Sequence, residues 1–200
     1  MIKKALAIIA LVMIASLSVA GCTQSSPTSS PTPTPITSRE TVIGNNMTFS
    51  SSTGFNITYP KTLKIDSNNS TDSQNRVYIY LATNNTLDSV GVAAADLTAN
   101  ATLSDWATYV RDSVNDFPNW QLISNQSTTL GGKPAYTIVW QATVPVQNDS
   151  NVQNTTLKVM QTTLISNNTG YIVTYKATLD DYNTYLAQAQ RIMNSFELTS

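Results

Sequence analysis

Two hundred residues with eleven basic and twelve acidic side chains, no histidine and one cysteine exclude several functions at once. Charge this sparse and nearly balanced leaves no basic stretch able to neutralise a phosphate backbone, so nucleic acid is not an expected partner. Without histidine there is no Ser-His-Asp or Cys-His set and no histidine metal ligand, and a lone cysteine forbids a disulfide within the chain.

The chain opens with Lys3 and Lys4, then an uncharged apolar run from Ala5 to Ala20. That run falls short of the roughly 20 residues a bilayer-crossing helix needs and has the form of a processed secretory signal. Residues 17–22 read LSVAGC, with small Ala20 and Gly21 directly before Cys22. This stretch resembles the lipobox of microbial lipoproteins, in which the cysteine receives lipid and becomes the first mature residue. The resemblance implies residues 1–21 as signal peptide and Cys22 as the lipid attachment site, with the chain held on the extracytoplasmic side of the cell membrane. Removing residues 1–21 takes two lysines away and leaves nine basic residues against twelve acidic ones.

Residues 22–44 follow as a tether. Pro27, Pro31, Pro33 and Pro35 alternate with serine and threonine. There is too little apolar surface here to fold, and residues 25–38 would span on the order of 40 Å in extended form.

From residue 45 to 200 the composition becomes that of one globular domain with its own core. Period-two alternation marks strands: Phe55, Ile57 and Tyr59 share a face in FNITYP, and Tyr136, Ile138, Trp140, Ala142 and Val144 share one in YTIVWQATV. Tyr171, Val173, Tyr175, Ala177 and Leu179 do the same in YIVTYKATL. Further strands are expected near residues 77–83, 89–96, 122–130 and 156–166. Tyr78 and Tyr80 oppose Val77, Ile79 and Leu81, so that strand is either central in the sheet, the favoured placement, or a partly exposed contact site.

Two segments carry the helical period. In LSDWATYVRDSVNDF, Leu103, Trp106, Ala107, Val110, Val114 and Phe117 form one stripe, with Thr102 and Asp105 as a capping box and Pro118 as the stop. In DYNTYLAQAQRIMNSF, Tyr182, Tyr185, Leu186, Ala189, Ile192, Met193 and Phe196 face inward, and Asp180 and Asp181 suit the positive helix N-terminus. The connections between strands are too short for parallel crossovers, so the fold class is α+β with a mainly antiparallel sheet flanked by two helices.

The order GFNITYP, amphipathic helix, TTLGGKPAYTIVW, YIVTY and a last helix ending in SFEL resembles the PsbP-like domains of microbial surface lipoproteins. The resemblance covers residues 45–200 and implies an α/β/α sandwich. It implies fold-bearing roles for Phe55, Tyr59 and Pro60 in an early strand and its exit, for Gly132, Pro134 and Ala135 at the turn into a central strand, and for Phe196 in the last helix's packing. Leu63 stands where the family often has tryptophan. An accessory or binding module is what the family implies for function, not an enzyme.

Ten asparagines begin an Asn-x-Ser/Thr triplet and are candidate N-glycosylation sites: Asn46, Asn56, Asn68, Asn69, Asn84, Asn100, Asn125, Asn148, Asn154 and Asn167. The polar composition alone would yield about half as many. In DSNNSTDSQN, Asp66, Asn68, Ser70 and Asp72 alternate as in a calcium loop, but Thr71 and Val77 replace the glycine and glutamate that such a loop needs. It is read as a solvated loop. GGKP at 131–134 lacks phosphate-loop spacing and is read as a hairpin turn.

No catalytic residue, metal or cofactor is therefore expected. The sequence points to a monomeric, non-catalytic surface lipoprotein that binds an envelope protein or assists a membrane complex. The alternative is a small-solute or ion-binding lipoprotein serving a transporter.

Overall fold

The computed structural model describes residues 39–67, 76–82, 87–148 and 151–199. The signal-like segment, Cys22, the Pro-rich stretch and most of the calcium-loop-like segment lie outside them. Within the described residues the chain begins with β1 (Arg39–Ile43), β2 (Asn46–Ser51), β3 (Phe55–Pro60), β4 (Lys64–Asp66), β5 (Arg76–Tyr80) and β6 (Ser89–Asp96). Helix α1 (Leu103–Asp112) leads into β7 (Gln121–Leu130), β8 (Lys133–Asn148), β9 (Asn151–Ser166) and β10 (Thr169–Thr178). Helix α2 (Leu179–Asn194) and a short β11 (Glu197–Leu198) complete it.

The strands form a four-stranded sheet ordered β1-β2-β3-β11 and a seven-stranded sheet ordered β4-β5-β6-β10-β9-β8-β7, with every pairing antiparallel. Successive strand residues face opposite ways. In β10 this sends Tyr171, Val173, Tyr175 and Ala177 into a cluster with Tyr182, Ala189, Ile192 and Met193 of α2 and Phe55, Ile57 and Tyr59 of the small sheet. Ile172 points the other way, to Trp106 and Val110 of α1. The large sheet is thus covered on one face by α2 and the small sheet, and on the other by α1.

Gly170 explains how α1 lies so close. A Cβ there would stand 2.7 Å from the Trp106 ring, so only glycine lets the indole rest on the strand. The first turn of α1 closes as its sequence implies: the Asp105 N–H donates to Thr102 Oγ1 at 3.2 Å, and the Thr102 N–H donates to the Asp105 carboxylate at 3.2 Å. Thr102→Ala is expected to lower stability by about 1 kcal/mol in chemical denaturation, the usual worth of a lost N-cap. A loss no larger than that of a neighbouring exposed substitution would count against the box as a stabilising element.

Three details differ from the sequence reading. The sheet begins at Arg39, so residues 39–43, given above to the tether, pair with β2 from Arg39↔Ser50 to Ile43↔Asn46. The physical reason is the Gly44 turn, at φ +61°, which folds Thr41–Ile43 back on Asn46–Thr48. Helix α1 stops at Asp112, short of Pro118, because Ser113 caps it and its hydroxyl donates to the Val110 carbonyl at 2.7 Å. Val114 is still buried, packed with Phe117 against Trp140 through successive turns. Leu179 is 46% exposed because it is the first residue of α2 and not the last of a strand.

Candidate functional site

On the α1 side of the large sheet the register lines up polar residues across five strands. One rung holds Tyr80, Ser89, Lys176, Val159 and Trp140. The next holds Asp66, Tyr78, Gly91, Thr174 and Gln161. Ser89, Thr174, Gln161 and Lys176 are all buried. Four buried polar side chains at the middle of a sheet are unusual, since each forfeits hydration.

Lys176 is the centre of this strip. Its ammonium sits 5.9 Å from the centroid of the Tyr78 ring, which lies against Gly91 so closely that a Cβ there would come within 3.0 Å of it. Burial pushes the Lys176 amine down to about 8, and the nearby Asp88 carboxylate partly offsets that fall. Asp88 is itself fully buried and accepts the Thr178 N–H at 3.0 Å, which fixes it at the junction of β10 and α2. Burial raises the Tyr78 hydroxyl, and Arg76 beside it acts in the opposite direction. Gln161 is held by the Trp140 indole N–H at 2.8 Å.

Ser89 faces Lys176 directly across the β6–β10 pair. Its Oγ is enclosed and makes no hydrogen bond among the described residues. What the strip offers is a buried ammonium among hydroxyl and amide side chains, with Arg76 and the Asp66 carboxylate near Tyr78. Sequence reading missed Lys176 and Asp88. The available signal was a single charged residue inside the aromatic strand YIVTYKAT, where alternation alone assigned it to an unspecified outer face.

The second feature is the hairpin of β8 and β9. Pairing with β7 ends at Gln141, and pairing with β10 ends at Leu157. Beyond these points, residues 144–148 and 151–155 pair, among the described residues, only with each other, forming a two-stranded ribbon whose base is still buried at Val144. Val152 on it is 68% exposed.

The candidate glycan acceptors scatter over the surface. Asn46 opens β2, Asn125 lies mid-way along edge strand β7 and Asn154 sits on the ribbon, all exposed. Asn100 and Asn167 occupy exposed left-handed turns at φ 74° and 51°. Asn56 is half-buried in β3 with its Oδ1 enclosed. Asn148 closes β8. Cys22, Asn68, Asn69 and Asn84 lie outside the described residues, as do Ser70 and Asp72. Asp180 and Asp181 stand in the first turn of α2, where Thr178 Oγ1 accepts the Asp181 N–H, so they belong to its cap. Tyr78 and Tyr80 are half-buried on a strand second from the sheet edge.

No protein-family model and no curated protein matches the sequence. Solved structures do. Cyanobacterial PsbP (CyanoP) from Synechocystis sp. PCC 6803 is 15% identical with a TM-score of 0.54, the match covering 78% of this chain and 94% of that one. LpqN of Mycobacterium tuberculosis, involved in cell envelope biogenesis, is 14% identical with a TM-score of 0.52, covering 73% of this chain and 83% of LpqN. Identities this low speak to fold alone, and the fold they establish is PsbP-like: α+β, mainly antiparallel, with two helices.

Proposed function

We propose that this chain is a lipid-anchored extracytoplasmic protein whose domain, residues 45–200 extended by β1, is a non-catalytic binding or accessory module for an envelope component or membrane complex. Cys22 carries the anchor, residues 22–38 the tether, and the membrane is reached through the lipid. The observation that carries the binding role is the β8–β9 ribbon. Its outer backbone edges are unpaired among the described residues, and unpaired edges with an exposed apolar side chain are what a partner strand adds to. LpqN, which shares the fold and is involved in cell envelope biogenesis, is a precedent for such work. Asn46, Asn100, Asn125, Asn154 and Asn167 are the acceptors with room for a glycan, and Asn56 has the least.

One observation favours the second reading, capture of a small solute. The strip around Lys176 supplies convergent polar groups of the kind that orient a polar ligand.

Gentle purification from native membranes followed by mass spectrometry tests both. A stoichiometric protein partner, retained by the wild type and lost from Val152→Lys with the fold intact, is the expected result. Cys22→Ser should release the protein from the membrane. A bound small molecule with no protein partner would replace the accessory reading with solute capture.

A further inference from the structure

We infer that the tip of the β1–β2 hairpin rests in the headgroup layer of an anionic membrane, with Val42 and Ile43 inserted and Lys61 and Lys64 against the lipid phosphates. This builds on the lipid-anchor reading of Cys22. Val42 and Ile43 are each 66% exposed and adjacent in sequence, whereas the other large exposed apolar residues among those described, Ile123, Val152 and Leu179, stand singly. Adjacent strand residues face opposite ways, so the tip is apolar on both sides. A wedge of that form suits a medium that surrounds it, as lipid does, better than a flat protein face.

The tip is slender as well. A Cβ at Gly44 would meet nothing within 4 Å. Its charge also fits. The Lys61 N–H donates to the Asn45 carbonyl at 3.1 Å, which pins this exposed lysine beside the turn, and Lys64, also exposed, follows on β4. The chain is acidic overall, so Lys61 beside the turn, with Lys64 three residues further on, gives this exposed apolar doublet a basic neighbourhood that matches an anionic surface. The acidic groups on these elements stand back from the turn: Glu40 is at the start of β1 and interacts with the Tyr59 hydroxyl, and Asp66 ends β4.

The anchor permits the contact. From Cys22 the chain reaches Arg39 in seventeen peptide steps, at most about 60 Å, and the tip lies a further four residues, on the order of 13 Å, along β1. Asn46 begins a glycosylation triplet at the same tip. A glycan there would hold the tip off the lipid, so occupancy at Asn46 and docking exclude each other.

The test uses the full-length lipidated protein reconstituted into vesicles. With Cys22 blocked by lipid, Ile43→Cys provides a unique thiol for an environment-sensitive fluorophore, and Val152→Cys provides the same label on the ribbon. In phosphatidylcholine vesicles containing phosphatidylglycerol, the label at 43 should gain severalfold in emission, shift to the blue and be quenched by nitroxide lipid, while the label at 152 stays wet. Lys61→Glu with Lys64→Glu should abolish the gain, as should vesicles of phosphatidylcholine alone. Vesicles that float with the protein while the label at 43 stays wet would overturn the docking and leave the anchor standing. Failure to float would overturn the anchor and the docking with it, and a glycan found on Asn46 in the native protein would overturn the docking alone.

Discussion

Trp106→Ala is expected to lower the free energy of unfolding by about 3–5 kcal/mol, the cost of truncating a buried aromatic and leaving its cavity. The cluster between α1 and the sheet has only four fully buried members, Ala93, Trp106, Val110 and Ile172, and the indole is much the largest. It is 3% exposed, stacks on Tyr109 with centroids 5.6 Å apart, and donates through Nε1 to the Tyr171 carbonyl at 3.3 Å. The same contact viewed from the strand predicts that Gly170→Ala, which forces a methyl into the indole, costs about 1–3 kcal/mol through overpacking. Denaturant titration of both variants checks this. A loss below about 1 kcal/mol for Trp106→Ala would mean that α1 is held by something other than the indole.

The second large effect is a rise in stability on moving to mildly alkaline pH. Lys176 is lowered from 10.5 to about 8 in the folded chain. Between those values the unfolded chain binds a proton that the folded chain does not, so stability increases with pH across the window. The full swing is about 3 kcal/mol, reached near pH 10.5 and absent below pH 8. Buried tyrosines act in the opposite direction. Burial raises Tyr175 and lifts Tyr59 and Tyr182 to about 12 from 10.0, so the stability they contribute is complete below pH 10 and is lost as pH climbs through 12. Unfolding free energies should therefore peak near pH 10. Lys176→Met should remove the rise between pH 8 and 10 while keeping the fall above it. A wild-type profile that is flat over that interval would show that Lys176 is not a buried cation.

Much of the fold was readable because burial on this scaffold follows simple periods. Phe55, Ile57 and Tyr59 alternate as written, Ile138, Trp140, Ala142 and Val144 do likewise, and β6 has the span the apolar run implied. Strand β1 was hidden by composition. Its five residues adjoin a Ser/Thr/Pro stretch, and only the Gly-Asn pair after Ile43 marked the hairpin. The polar strip was illegible for another reason. Thr174, Lys176 and Gln161 occupy what alternation takes to be an outer face, and they become interior only because five strands align there and the sheet is covered on both sides. Burial of that kind belongs to the register between β6, β9 and β10, which no single strand encodes. The proposed role of Cys22 has the converse standing: it rests on a local stretch of sequence and draws on no feature of the fold.

The order of strands in the large sheet also sets an order in time. Strands β7 to β10 are joined by short turns and pair in sequence, so they can zip as a meander from local contacts. Strand β6 cannot wait on a neighbour of that kind, since its inner partner is β10 and the nearest pair in sequence joins Asp96 to Thr169. A chain synthesised from its N-terminus therefore carries β4, β5 and β6 with an open apolar edge until almost all of it has been made, and α2, which seals the main core, arrives later still. For that interval the front half of the protein depends on being kept apart from other chains.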